Sequence, residues 1–127
     1  DLARPTILHN ILGNTFTQLS GEDATVLPYL AAGGHGCISV TANIAPKMLS
    51  DMHSAWWAGD IATAQTIHKK LLPVHEAMFC EASPGPVKYA AGLLGICGSE
   101  TRLPLCEISD DSKDQVKAAL VNAGLLT

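Results

Sequence analysis

The hydrophobic positions in the first third of the chain follow helical and strand-like spacing in turn. Apolar residues three and four positions apart predict one helix over residues 1–13 and another over about 23–32, where acidic residues occupy the first turn. Short apolar runs predict a strand at Phe16–Ser20 and a buried strand within Gly33–Asn43. This order with short connections is typical of parallel βα units. The apolar face of the first helix comprises Ile7, Leu8, Ile11 and Leu12.

The stretch Gly33–Asn43 combines a glycine turn, a short apolar run and a polar end. Glycines allow close backbone approaches that a side chain would obstruct, and the apolar residues after them favour an enclosed pleat. Ser39, Thr41 and Asn43 are predicted to alternate along the strand and to support a site, although Asn43 could equally cap the following helix. Two parallel strands do not form a stable sheet in isolation, so further strands are expected from elsewhere.

Helical spacing dominates after Asn43. A proline inside the longest segment, Pro73, is expected to kink it because proline removes a backbone donor. Ser112 and Gln115 have capping-box spacing at the start of the last helix. The predicted helices cover about Pro46–Ala58, a long segment that includes 64–78, Val87–Leu94, and a final segment that begins near Ser112.

Composition and charge narrow the class of protein. A length of 127 residues with 47% hydrophobic and 16% charged residues is typical of a globular chain with one core. Because 12 acidic residues outweigh 8 scattered basic ones, for a net charge of −4, nucleic-acid binding is disfavoured. No apolar run approaches the roughly 20 residues of a membrane span, and residues 1–20 lack the order of a signal peptide. We therefore expect a cytoplasmic protein with no membrane partner.

Cysteine and histidine give no metal-site pattern. No Cys-x-x-Cys pair is present, so reduced thiols are expected at Cys37, Cys80, Cys97 and Cys106. His68 and His75 lie seven positions apart, but no third ligand is evident, and no metal site is predicted. His35 could titrate near neutral pH, yet it precedes its strand and is assigned a structural role. The chain begins at Asp1 without an initiator methionine, and we expect it to be part of a longer protein.

Four stretches of the sequence resemble the dihydrodipicolinate synthase family in order and spacing, and the resemblance covers essentially the whole chain. It implies an α/β fold in which residues 1–59 form the carboxyl-terminal part of a (β/α)₈ TIM barrel, with strands 7 and 8 and flanking helices. Residues 60–127 would form a small all-helical extension. A complete barrel takes about 250 residues, so this chain would be one part of it. The four stretches are Leu19–Ala24, Gly34–Asn43, Pro84–Lys88 and Thr101–Leu105.

The resemblance also implies an activity, that of a lyase in lysine and diaminopimelate biosynthesis. In the family, a lysine at the end of strand 6 forms a Schiff base with pyruvate, and the resulting enamine attacks aspartate semialdehyde. That lysine, a proton-relaying tyrosine and a threonine pair precede the segment that this chain resembles, so no catalytic residue is expected here. The implied partners are pyruvate, aspartate semialdehyde, the amino-terminal part of the barrel and further copies in a homotetramer. No cofactor is implied.

A few positions carry the family's binding roles over to this chain. Gly21 and Ile38 match residues whose backbones line the pyruvate pocket, and the Ile38 side chain itself is expected to pack in a core. Without the resemblance, Gly21 reads as a glycine of a tight turn. Ser83 stands where the family often has asparagine before its Pro-x-Pro loop, and it joins Thr41 and Asn43 as candidate site support.

Two other functions stay open. N-acetylneuraminate lyases and keto-deoxy sugar acid aldolases are related enzymes that share the Schiff base but use another aldehyde. A free-standing helical interaction domain would instead melt cooperatively as a monomer, although two parallel strands would leave its edges and apolar faces uncovered. If the protein is a tetramer, the interface candidates are Leu2, Tyr29 and Leu30.

Overall fold

The computed structural model describes all residues from 1 to 127. The chain separates into two compact units, Asp1–Ser39 and Val40–Thr127. The first unit holds both strands, whereas the second contains helices and loops but no strand. No helix in either unit has the length and apolar character needed to cross a membrane.

The first unit follows the predicted order of helix, strand, helix and strand. Its two strands are parallel, with Leu19 paired to Gly36 and Ser20 paired to Cys37. The parallel pairing confirms the βα pattern, although the first strand is shorter than the predicted Phe16–Ser20. The elements are α1 (Arg4–Leu12), a 3₁₀ turn (Gly13–Thr15), β1 (Leu19–Ser20), α2 (Val26–Ala31) and β2 (Gly36–Cys37).

The long buried strand predicted within Gly33–Asn43 is wrong. Only Gly36–Cys37 has strand geometry, and Thr41–Asn43 forms a turn of 3₁₀ helix, so the polar residues do not alternate along a strand. Ile38 is 72% exposed within residues 1–127, so the core in which its side chain is predicted to pack is not supplied by this chain, and its packing stays a prediction. The sheet of this chain has only two strands, so no third strand lies beside Ile38 to cover its side chain.

Burial within the first unit is uneven. Val26, Leu27 and Leu30 of α2 are buried, which removes Leu30 from the candidates for an exposed interface. The predicted apolar face of α1 is instead largely exposed, with Ile11 at 70%. A unit of this size has too few residues to cover every apolar face, so the apolar face of α1 has no neighbouring element packed against it.

The second unit is built around the long helix α4. Its apolar spacing is confirmed, because Ala64, Leu71, Val74 and Met78 are buried and the helix continues through Pro73. Helix α3 packs on α4, and α6 packs on both α4 and α5. The helices are α3 (Pro46–Trp57), α4 (Ile61–Ala77), α5 (Gly85–Leu93) and α6 (Asp110–Asn122), and the 3₁₀ turn Thr41–Asn43 precedes them.

The start of α6 differs from the sequence prediction. Ser109, not Ser112, is the capping residue, and its Oγ accepts a hydrogen bond from the Ser112 backbone N–H at 3.3 Å. The Ser109 backbone N–H and hydroxyl both donate to Glu81 Oε1, at 2.8 and 2.7 Å. Hydrogen bonds from Ser109 and then Ser112 hold the pKa of Glu81 below its usual range. The acidic residue that bonds to the capping Ser109 is therefore Glu81, which is distant in sequence. A capping-box pattern covers only neighbouring positions and does not reveal it.

The compact units meet at residues 39 and 40, whereas the sequence division fell between residues 59 and 60. The two boundaries describe different things, since the sequence division separates a barrel from an extension. Because α3 packs on α4, α3 falls in the same compact unit as the helices that follow it. The division at residue 59 stays a prediction.

Candidate functional site

The carboxyl ends of β1 and β2 bring Gly21 and Ile38 together. The Ile38 N–H donates to the Ser20 carbonyl at 2.8 Å, which extends the ladder one step past β2, and Gly21 follows Ser20 directly. Backbone pairing therefore places the two positions side by side. A Cβ atom built on Gly21 would meet no atom within 4 Å, so the space beside this backbone is open.

The turn after β1 is fixed by short-range hydrogen bonds. The Ser20 hydroxyl accepts from the Glu22 N–H at 3.0 Å and donates to the Glu22 carbonyl at 3.1 Å. The Glu22 carboxylate in turn accepts from the Ala24 N–H at 3.0 Å. These bonds flank Gly21 and fix the turn that contains it.

The thiol of Cys37 lies beside Asp23 at this edge of the sheet. Its Sγ donates to Asp23 Oδ1 at 3.9 Å. Burial, followed by the charges of Asp23 and Glu22, raises the pKa of Cys37 to about 12. A thiol that stays protonated near neutral pH is a poor nucleophile, so Cys37 is not suited to covalent catalysis.

His35 secures the amino end of the same strand pair. The Gln18 N–H donates to His35 Nδ1 at 3.1 Å, and the His35 N–H donates to the Gln18 carbonyl at 2.8 Å. The Gln18 side chain also donates to the Pro5 carbonyl at 3.0 Å. These contacts confirm the structural role predicted for His35, because its ring joins backbone at the end of the strands away from Gly21.

The three candidate supporting residues have different surroundings in the second unit. Thr41 is fully buried, and its Oγ1 lies 2.8 Å from His75 Nδ1. Asn43 is exposed and donates from Nδ2 to the Val40 carbonyl at 2.9 Å. Ser83 is exposed and makes no side-chain hydrogen bond. Thr41 therefore supports the interior of this unit, whereas Asn43 and Ser83 keep oxygen atoms at the surface.

The two histidines of α4 lie close together but do not form a metal cluster. The ring centroids of His68 and His75 are 5.9 Å apart, with the ring planes at 40°. No group of three histidine, cysteine, aspartate or glutamate side chains in residues 1–127 is placed to hold a metal ion. The bond from His75 to Thr41, 34 positions away in sequence, gives this histidine a packing role that no local pattern signals.

Sequence reasoning missed a cavity of about 440 Å³ in the second unit. We call it the Lys88 cavity. The segments Pro84–Lys88 and Thr101–Leu105 each carry one cation, but nothing in the sequence indicates that the two cations meet. A second cavity of about 260 Å³ shares Pro84 and Lys88 and extends to Asn43. The Lys88 cavity is lined by Pro84, Lys88, Glu100, Thr101, Arg102 and Leu105.

Comparison with known proteins identifies one family. The model of the dihydrodipicolinate synthetase family matches residues 1–123. The 4-hydroxy-tetrahydrodipicolinate synthase of Gluconacetobacter diazotrophicus is 54% identical over 127 residues, and that of Acidiphilium cryptum is 52% identical over 126 residues. Each match covers 99% of this chain and 43% of the relative. The chain therefore spans less than half the length of these curated relatives.

Solved structures agree with these sequence matches. The dihydrodipicolinate synthase of Aquifex aeolicus superposes with a TM-score of 0.93 at 35% identity, covering 98% of this chain and 43% of that one. The chloride-inhibited enzyme of Acinetobacter baumannii, complexed with pyruvate, gives a TM-score of 0.91 at 35% identity, with 99% and 43% covered. Such structures place the helices and the small parallel sheet of this chain among TIM-barrel enzymes.

Proposed function

Because this chain belongs to the dihydrodipicolinate synthetase family, we propose that it is part of a lyase that condenses pyruvate with aspartate semialdehyde in lysine and diaminopimelate biosynthesis. The observation that carries the proposal is 54% identity, over almost the whole chain, to a protein named 4-hydroxy-tetrahydrodipicolinate synthase. The similarity to a relative complexed with pyruvate supports pyruvate as one substrate. The comparisons lend no support to a sialic acid lyase, a sugar acid aldolase or a helical interaction domain.

In this proposal β1 and β2 are strands 7 and 8 of a (β/α)₈ barrel, and residues 60–127 are its helical extension. The parallel pairing of two strands with their crossover helix α2 supports this placement. Leu19 of β1 is 48% exposed, and Ile38, which directly follows β2, is 72% exposed. Apolar side chains at such positions are normally covered, so the remaining strands of the barrel would come from residues outside this chain.

The backbones of Gly21 and Ile38 then form one wall of the pyruvate pocket. Both follow the carboxyl ends of parallel strands, where barrel enzymes build their sites. The bond between Ser20 and Ile38 fixes the spacing of this wall, and the missing side chain at Gly21 leaves room for a substrate. Asn43 and Ser83, both exposed, stay candidates for support, whereas the buried Thr41 would act indirectly through packing.

The lysine that forms the Schiff base would lie outside these residues. Its amine would condense with the ketone of pyruvate and release water. Loss of a methyl proton would then give the enamine whose carbon attacks the aldehyde. All six lysines of this chain lie on α3 to α6, and none follows a strand: Lys47, Lys69, Lys70, Lys88, Lys113 and Lys117. The residues of this chain would bind and orient substrate, and the chemistry needs no further cofactor.

We place the complete enzyme in the cytoplasm as a homotetramer. The exposed apolar face of α1, which includes Ile7, Ile11 and Leu12, supports an interface on this side of the first unit. Leu2 is 46% exposed and stays a candidate. Tyr29 is half-buried and stays a candidate.

Steady-state kinetics of the intact protein with pyruvate and aspartate semialdehyde test this function. Gly21→Ala is expected to raise the KM for pyruvate by about tenfold, which corresponds to about 1.4 kcal/mol, because its methyl group would occupy the pocket wall. Gly92→Ala in α5 is the matched control, since its methyl group would make only ordinary contacts at 3.6 Å or more. Absence of condensation, or preferential cleavage of a sialic acid, would refute the proposal.

A further inference from the structure

Three charged residues line the Lys88 cavity, of which Lys88 is half-buried and Glu100 and Arg102 are exposed. Lys88 and Arg102 are cationic and Glu100 is anionic. The cations that form ion pairs in this chain are Arg4, Lys47 and Lys113. Lys88 and Arg102 are not among them. Neither cation is therefore engaged in an ion pair within the chain, and the two share the cavity with a single carboxylate residue, Glu100.

Both walls of the cavity are held by the backbone. Lys88 is half-buried in the first turn of α5, and its N–H donates to the Pro84 carbonyl at 3.0 Å. On the opposite wall, the Leu105 N–H donates to the Arg102 carbonyl at 3.1 Å, and the Thr101 hydroxyl donates to the Leu105 carbonyl at 3.2 Å. Charged groups on ordered backbone lose less conformational entropy when a ligand binds.

Size and composition suit a small molecule. The volume of about 440 Å³ lies within the usual range of ligand pockets, roughly 300–1,000 Å³. Pro84 and Leu105 supply apolar wall, while the charged side chains supply orientation. A large anion such as a nucleotide would place additional phosphates against Glu100, whereas a compact ligand of mixed charge would not.

We propose that the Lys88 cavity binds an amino dicarboxylate of the size of aspartate. Its two carboxylates would accept hydrogen bonds from the Arg102 guanidinium and the Lys88 ammonium, and its ammonium would donate to the Glu100 carboxylate. The ligand carries two negative charges and one positive, which is the inverse of the three side chains. All residues that line this site belong to the second unit. It does not depend on the proposed lyase function.

Calorimetric titration of the intact protein with L-aspartate, in the presence of excess pyruvate, tests the proposal. Saturable binding at millimolar concentrations is expected, and Lys88→Met and Arg102→Met should each weaken it by about tenfold, the effect of losing one charge-assisted contact. Lys69→Met, which removes an exposed lysine of α4, is the matched control and should leave the affinity unchanged. Absent binding, or equal affinity in all four proteins, would overturn the proposal.

Two ligand analogues test the charge pattern. Succinate lacks the ammonium. Glu100→Gln should therefore weaken the binding of L-aspartate, whereas the affinity for succinate should stay unchanged or increase. L-asparagine lacks one carboxylate and should bind more weakly than L-aspartate to the unsubstituted protein. If Glu100→Gln affects both ligands equally, the assigned orientation is wrong.

Hydrogen–deuterium exchange on the unsubstituted protein gives an independent result that does not require a variant to fold. L-aspartate is expected to slow exchange at the amides of Lys88 and Leu105, whose hydrogen bonds hold the two walls. The amides of α3 serve as the internal reference. Protection confined to segments away from 84–88 and 100–105 would overturn the proposal.

Discussion

The Cys37 thiol should be alkylated much more slowly than its partial exposure suggests. Burial and the neighbouring charges of Asp23 and Glu22 raise its pKa from 9.0 to about 12. At pH 8 the thiolate fraction falls from about one tenth to about one ten-thousandth, a factor of roughly 1,000. A more basic thiolate is intrinsically more nucleophilic, and a Brønsted slope of about 0.5 restores roughly 30-fold. The expected net effect is alkylation about 30-fold slower than that of an ordinary thiol.

Peptide mapping by mass spectrometry after timed exposure to iodoacetamide measures this directly. Cys97 and Cys106 are exposed and serve as internal references, and a urea-unfolded sample gives the intrinsic reactivity of each peptide. Asp23→Asn should raise the rate at Cys37 only in part, because burial is the largest cause of the raised pKa. Alkylation of Cys37 as fast as that of Cys97 in the native protein would refute the reasoning.

Three further predictions concern stability. Thr41→Val should lower the free energy of unfolding by about 1–3 kcal/mol, because it removes the hydroxyl that pairs with the buried His75 at 2.8 Å, and an unchanged urea midpoint would contradict this. Gly34→Ala should cost about 1–3 kcal/mol, since a methyl group there would collide with the Tyr29 ring and lie 2.9 Å from its carbonyl oxygen, whereas Gly92→Ala should cost little. The lowered pKa of Glu81 means that its stabilising contribution is present above its unfolded-state pKa and is lost as the pH falls through the folded-state value. The melting temperature should therefore fall more steeply on acidification in the unsubstituted protein than in Glu81→Gln, and parallel curves would count against the Ser109 contact.

The helices were predictable because their information is local. Apolar positions three and four apart on α3 and α4 mark faces that the structure buries, and Pro46 and Pro86 stand at helix starts where a missing backbone donor costs nothing. The strands were predicted too long for the opposite reason. Whether an apolar run forms a strand depends on its neighbours, and Ile38 has no third strand beside it in this chain.

The contacts of the candidate site also differ in whether local sequence predicts them. The adjacency of Gly21 and Ile38 follows from parallel pairing of two predicted strands together with a family resemblance. The contacts of Glu81 with Ser109 and of Thr41 with His75 join positions 28 and 34 apart, so no local spacing contains them. The meeting of Lys88 and Arg102 likewise depends on how α5 and the turn after it fold back on each other.

Trapping of a Schiff base in the intact protein tests the central proposal most directly. The protein would be incubated with pyruvate and sodium borohydride, digested and mapped by mass spectrometry. Our account predicts one reduced pyruvate adduct on a lysine outside residues 1–127, and less of it in Gly21→Ala at limiting pyruvate. An adduct on one of the six lysines of α3 to α6, or no adduct while condensation proceeds, would contradict the account.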